Sequence, residues 1–202
     1  MITPVREYDL IADWYANEGI GRTSGVREAL DAVSALPRGA RILDAGCGNG
    51  LPITKSLVDA GYCAVGIDSS PAMLARFRTN LPAVPVVRGD VRHAPFAEDV
   101  FDGAIAWGVI FHLRPPDQAR AFEGISRALK PGAPFLFTSA EVEDGTDDAE
   151  GLPRTMNGVT FHYWAVPSYR PLLARYAMEL VDFFEDSGKN GYFLARKITG
   201  ST

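Results

Sequence analysis

The stretch Arg41-Ile42-Leu43-Asp44-Ala45-Gly46-Cys47-Gly48-Asn49-Gly50 decides the fold. It opens as a short apolar strand, turns through three glycines at alternate positions, and continues as a helix from about Leu51. Glycine at such a turn admits positive φ and lets a ligand approach without meeting a Cβ. A helix starting there presents unpaired N–H groups and a partial positive charge, so the turn predicts a ligand with a polar or anionic end. A dinucleotide fold wants G-x-G-x-x-G; counted from Gly46, the third glycine position is Leu51. An acid, Asp44, stands two residues ahead of the first glycine instead. A carboxylate there repels a pyrophosphate and suits a ligand that carries an ammonium or sulfonium.

Outward from this turn, strands and helices alternate at short spacing. The helix after the turn ends at Gly61, and Tyr62–Ile67 reads as a second strand finishing at Asp68. Ser70 and Pro71 are an N-cap and first helical residue for the next helix. Val84–Arg88 is a third strand, Phe101–Trp107 a fourth, Asp117–Leu129 a helix and Phe135–Thr138 a fifth strand. Such alternation demands a parallel sheet with helices on both faces, and right-handed crossovers bring all strand carboxyl ends to one edge. Asp44, Asp68, Asp90 and Trp107 therefore share the edge where open α/β sheets bind ligands. A carboxylate ending the second strand, as Asp68 does, can accept hydrogen bonds from both ribose hydroxyls. Upstream, residues 7–17 place Leu10, Ile11, Trp14 and Tyr15 on one helical face, with Tyr8 on the same side as Tyr15; this helix either packs its aromatics on the domain or lids the cleft. Downstream, Asn157-Gly158 signals a type I′ hairpin. A helix near Ser168–Ala177 then precedes two strands near Glu179–Asp186 and Gly191–Lys197.

Asp44 to Gly50 resembles the first motif of class I S-adenosylmethionine-dependent methyltransferases, and the later landmarks fall in that family's order over roughly residues 40–138. The resemblance implies an α/β, Rossmann-like seven-stranded sheet, mostly parallel with an antiparallel last strand, helices on both faces, and S-adenosyl-L-methionine as cofactor. It implies that Asp44 holds the methionine ammonium, that Gly46 and Gly48 give backbone contacts, and that Asp90 with the N–H of Val91 meets adenine. Cys47, Ser69 and Trp107 belong to the same cofactor set. Met73 either covers the adenine face or is buried packing, and Arg22 either meets the methionine carboxylate or stays solvated. Small relatives begin with a similar Tyr-Asp…Tyr helix, which favours a lid over residues 1–36 with Tyr15 at the ligand.

A chain of 202 residues with 47% hydrophobic and 22% charged content reads as one domain with a sizeable core. Its net charge of −5 and pI near 5.2 lean against a nucleic-acid grip, which shows a basic face. The first residues lack a signal-peptide layout and no apolar run reaches membrane-spanning length. Cys47 and Cys63 fall at opposite ends of neighbouring parallel strands, on the order of 15 Å apart at about 3.3 Å per residue, too far for a disulfide. These features fit a cytoplasmic protein with a small-molecule substrate, as a monomer or homodimer, without nucleic-acid or membrane partners.

Transfer of a methyl group from sulfonium needs positioning and exclusion of water. A phenol or protonated amine acceptor also needs a base with a pKa near neutrality, whereas a carboxylate or thiolate does not. Of the three histidines, His93 lies in a polar loop. His112, just past the fourth strand, either serves as a base or braces its loop. His162 sits among Phe161, Tyr163 and Trp164 in a segment, residues 141–166, placed to roof the substrate after six acids within Glu141–Glu150. The catalytic candidates are thus His112, His162 and Tyr15. No clustered ligands surround Trp107, and relatives that use magnesium need acids where Trp107-Gly108 stands, so no metal is expected. Two other readings stay open: an NAD(P)-dependent oxidoreductase, and a non-catalytic S-adenosylmethionine-binding regulatory protein.

Overall fold

Alternation along β1 (Arg41–Ala45) sets the layers of the molecule. Ile42 faces one way, Leu43 and Ala45 the other, and all three are fully buried, as a strand covered on both sides requires. The computed structural model describes residues 4–17, 25–141 and 152–199. In chain order the elements are α1 (Pro4–Asn17), α2 (Val26–Val33), β1, α3 (Ile53–Asp59), β2 (Cys63–Asp68), α4 (Pro71–Asn80) and β3 (Val86–Arg88). There follow β4 (Gly103–Ala106), α5 (Pro115–Ala128), β5 (Pro134–Ser139), β6 (Leu152–Met156), β7 (Val159–Tyr163), α6 (Tyr169–Arg175), β8 (Met178–Glu185) and β9 (Gly191–Lys197).

Seven strands form one sheet in the order β3-β2-β1-β4-β5-β9-β8. The strands from β3 to β5 are parallel, and β9 runs antiparallel to both of its neighbours. The sheet class is the one the sequence implies; the chain's last strand is inserted between β5 and β8 and is not the edge. Ile42, Ala64, Ile105 and Leu136 pack under α2 and α3. Leu43, Ala104, Phe135 and Phe137 pack under α5 and α6 with Phe122, Ile125 and Tyr169. A smaller cluster of Cys47, Leu74, Phe77 and Leu81 seats α4.

Local signals in the sequence account for most element ends. Ser70 accepts the Met73 N–H and Pro71 occupies the first position of α4. Asn157 (φ 46°) and Gly158 (φ 75°) both have positive φ, as a type I′ turn requires, and they join β6 to β7 in a separate two-stranded sheet. Several boundaries move by one or two residues: α3 starts at Ile53, β3 at Val86 and β4 at Gly103, each two residues after the expected start. By contrast, α5 starts at Pro115, two residues before it, because a proline in the first turn withholds only an N–H that has no intrahelical partner. Cys47 is buried, Cys63 exposed, and both are free. Among the described residues no helix is long and apolar enough to cross a membrane.

Candidate active site

Because side chains alternate along a strand, Asp44 shares the face of Ile42 and meets α3. There the Thr54 hydroxyl donates to Asp44 Oδ2 at 2.5 Å. Both residues are buried, at 3% and 0% exposure. Burial pushes the Asp44 carboxyl up to about 7, opposed by the Thr54 hydrogen bond and reinforced by the charge of Asp68. Among the described residues no lysine, arginine or histidine pairs with Asp44. Asp68, at the end of β2, receives the Gly48 N–H on Oδ2 at 2.9 Å and the Ser70 N–H on Oδ1 at 2.8 Å. Burial still raises its carboxyl above the ordinary value, despite these bonds.

The glycine turn lies between these two acids. Gly46 has φ 79° and Gly48 φ 52°, values that L side chains adopt at a cost. A Cβ on Gly46 would meet Val109 Cβ at 2.8 Å, whereas one on Gly48 would stand in open space. One cavity follows the turn, lined by Asp44, Gly46, Cys47 and Gly48, by Asp68, Ser69 and Met73, by Asp90 and Val91, and by Trp107 and His112.

Asp90 is held more firmly than the sequence suggests. Arg92 donates from Nε to both carboxylate oxygens at 2.9 Å, from Nη2 to Oδ2 at 2.5 Å and from its backbone N–H to Oδ1 at 2.9 Å. Three Arg92 N–H groups thus share the two carboxylate oxygens, the single Nε–H being split between them. Burial would raise the Asp90 carboxyl, yet Arg92 holds it below the ordinary carboxylate value. The same guanidinium reaches Asp117 Oδ2 at 3.1 Å, so the strand end is tied to α5. The expected role of Asp90, taking the adenine amine, thus meets a carboxylate already occupied by Arg92.

Helix α1 closes over the cavity and brings Tyr8 and Tyr15 to its lining. Asp9 accepts from the Ser70 hydroxyl and from the Ala72 N–H at the start of α4, and Asp13 pairs with Arg76. Tyr8 and Tyr15 meet edge to face at 6.0 Å. The Tyr15 phenol is raised to about 12 by burial and by the charges of Asp68 and Asp44, so it stays protonated at neutral pH. Tyr8 Oη lies 2.8 Å from His112 Nε2, and the His112 ring also bonds the His162 backbone. A neutral imidazole has one donor and one acceptor nitrogen, matched by these two partners. Burial lowers His112 to about 3, which keeps it uncharged at neutral pH.

Twelve of the expected residues therefore line one cavity: Tyr15, Asp44, Gly46, Cys47, Gly48, Asp68, Ser69, Met73, Asp90, Val91, Trp107 and His112. His162 does not join them. It is exposed between buried Phe161 and half-buried Tyr163 on β7, and its ring lies 5.8 Å from that of Trp164. Arg22 and the acidic run at 142–151 lie outside the described residues; of the expected roof, Glu141 and residues 152–166 are described. Sequence reasoning passed over Thr54 and Arg92. Both act on a strand-end acid from a neighbouring turn or helix, and only the two-residue spacing of Asp90 and Arg92 was a local signal.

The lining suits the cofactor that the glycine turn implies. Buried Asp44 and half-buried Asp68, without a basic partner among the described residues, fit an ammonium and a diol. Gly48 leaves the room that a Cβ would fill, and Met73 and Val91 offer apolar surface to a base. Among the described residues no group of three or more metal-ligating acids, histidines or cysteines occurs.

Comparison with known proteins converges on the same chemistry. Residues 42–132 match the methyltransferase domain family. An uncharacterized methyltransferase of Synechocystis sp. is 36% identical over 104 residues, 51% of this chain and 48% of that protein. A tRNA U34 carboxymethyltransferase of Azotobacter vinelandii is 32% identical over 146 residues, 67% of this chain and 43% of that protein. The chain thus spans about half the length, or less, of these curated relatives. Among solved structures, the 1,6-didemethyltoxoflavin-N1-methyltransferase of Burkholderia thailandensis, with 1,6-didemethyltoxoflavin and S-adenosylhomocysteine bound, superposes with a TM-score of 0.68 over 98% of this chain and 92% of that one. At 22% identity that likeness speaks for the fold. The matched span holds the glycine turn and all three strand-end acids, and the chain belongs to the class I S-adenosylmethionine-dependent methyltransferases.

Proposed function

We propose that this domain transfers a methyl group from S-adenosylmethionine to a small-molecule acceptor, releasing S-adenosylhomocysteine. The observation that carries this reading is the pair Asp44, buried, and Asp68, half-buried, which line one cavity beside the glycine turn with no basic partner among the described residues. The cofactor supplies an electrophilic methyl on a sulfonium. Asp44 receives the ammonium of its amino-acid part, Asp68 receives the ribose hydroxyls through its remaining lone pairs, and Val91 packs against the adenine. Tyr15, Trp107 and α1 exclude water from the reacting centre and orient the acceptor, which is the protein's main lever on an in-line transfer. With His112 neutral and already bonded to Tyr8, the acceptor is one that arrives nucleophilic.

Calorimetric titration with S-adenosylmethionine and S-adenosylhomocysteine, with NAD(P)H as control, tests the cofactor. Micromolar binding of the first two and none of the third is expected, and Asp68→Ala is expected to abolish it while the protein stays folded. A screen of small acceptors for homocysteine release then tests the substrate class. Methylation of tRNA in place of any small molecule would overturn that part of the reading.

A further inference from the structure

The two acids of the cavity are held by different means. Asp68 takes the backbone N–H groups of Gly48, Ser69 and Ser70, which the glycine turn and the approach to α4 supply in any case. Asp44 relies on one residue, Thr54, whose hydroxyl donates to Oδ2 and whose backbone N–H also bonds the carboxylate. Among the described residues, the other groups that face Asp44 offer it no positive charge. Asp68 on β2 repels it, the Cys47 thiol of the glycine turn is pushed up by burial and stays neutral, and the Tyr15 phenol of α1 is also neutral. Thr54 is fully buried in the first turn of α3, with no exposed surface to explain a hydroxyl there.

We propose that Thr54 is a positioning residue for the cationic end of the cofactor: its hydroxyl fixes the Asp44 carboxylate in the orientation that receives an ammonium group. This rests on the reading of the cavity as an S-adenosylmethionine site. A hydroxyl that donates to a carboxylate favours the ionised form. Thr54 therefore works in two ways, holding the acid in place and easing its ionisation near neutral pH, where an ammonium ligand needs it charged. Valine fills the same space without the donor and leaves the backbone N–H in place.

The test is the affinity for S-adenosylhomocysteine between pH 5.5 and 9, measured by calorimetry on the wild type, Thr54→Val, Thr54→Ala and Thr54→Ser, together with carbon-13 NMR titration of the Asp44 carboxyl in the ligand-free proteins. Wild-type affinity is expected to rise with pH through a midpoint near the Asp44 value of about 7. In Thr54→Val and Thr54→Ala the midpoint moves up by about one unit, so that binding is roughly fivefold weaker at pH 7 and recovers toward pH 9. Thr54→Ser restores the wild-type midpoint. A uniform loss at every pH, or equal Asp44 midpoints in wild type and Thr54→Val, would overturn the role of Thr54. Failure of the wild type to bind the ligand would overturn the cofactor reading, and the NMR midpoints separate the two cases.

Discussion

The hydroxyl of Tyr8 and Nε2 of His112 lie 2.8 Å apart although 104 positions separate them in the chain. This bond ties α1 to the turn that follows β4, at the wall of the cavity. Phe161 of β7 packs on both rings, at 5.0 and 5.5 Å, and Tyr163 lies 4.9 Å from His112. Helix α1, β7 and the sheet edge thus meet at one aromatic cluster. Tyr8→Phe keeps the packing and removes the bond, leaving a ring nitrogen buried without a partner, at a cost of about 1–3 kcal/mol. We expect a lower urea midpoint and a several-fold weaker affinity for S-adenosylhomocysteine. An unchanged midpoint would show that α1 is held by Asp9 and Asp13 alone.

His112 also gives stability a pH dependence with a known sign. Its pKa is lowered from 6.5 to about 3 by burial, so between these values the unfolded chain binds a proton that the folded one refuses. Stability from this group is complete above pH 6.5 and falls as the pH drops, by about 1.4 kcal/mol per unit. Asp44 works the other way: raised from 3.8 to about 7, it contributes stability that is complete below pH 3.8 and lost as the pH rises toward 7. In the wild type the two oppose one another between pH 4 and 6.5. His112→Gln removes one of them, and we expect its stability, followed by urea denaturation, to fall from pH 5 to pH 7.5 relative to the wild type. Parallel profiles for the two proteins would refute this assignment.

Arg92 makes a fork with Asp90 that a lysine cannot copy. Its bonds to both carboxylate oxygens need the planar guanidinium, and both side chains are less than one-third exposed. We expect Arg92→Lys to lose about 1 kcal/mol of stability and Arg92→Ala about 2 kcal/mol, in the range of charge-assisted hydrogen bonds. Both variants are expected to weaken S-adenosylhomocysteine binding, alanine by roughly tenfold, since the strand end that carries Val91 loses its tie to α5. Tighter binding in Arg92→Ala would mean that Arg92 competes with adenine for the carboxylate, and calorimetry on the two variants decides between these outcomes.

The sheet and its ligand edge were legible because each rests on local rules: a two-residue strand period, glycine at a turn, Ser70-Pro71 at a helix start. The carboxylates were found by the same rules, since strand ends are visible in the order of residues. What could not be read was which partner each acid would have. Thr54 reaches Asp44 only because α3 packs back on β1. Tyr8 reaches His112 only because α1 crosses from the far end of the chain. His162 shows the converse: an aromatic neighbourhood in sequence marked it as a catalytic candidate, but strand alternation turns Phe161 inward and His162 outward.

Gly25 and Gly39 separate backbone strain from contact with the cavity wall. Both have positive φ, 75° and 82°, so an alanine at either is strained by about 1 kcal/mol. A Cβ on Gly39 would meet nothing within 4 Å, whereas one on Gly25 would fall 2.3 Å from Trp107 Nε1. That indole lines the cavity and donates to Tyr192 Oη at 3.3 Å, so it has little room to retreat. Gly39→Ala is expected to lower the urea midpoint slightly and leave affinity for S-adenosylhomocysteine within twofold of wild type. Gly25→Ala is expected to lower the midpoint further, change the near-ultraviolet circular dichroism of the tryptophans and weaken binding at least tenfold. If both variants bind equally well, the position of Trp107 does not matter to the cofactor, and its role in the cavity wall is limited to packing.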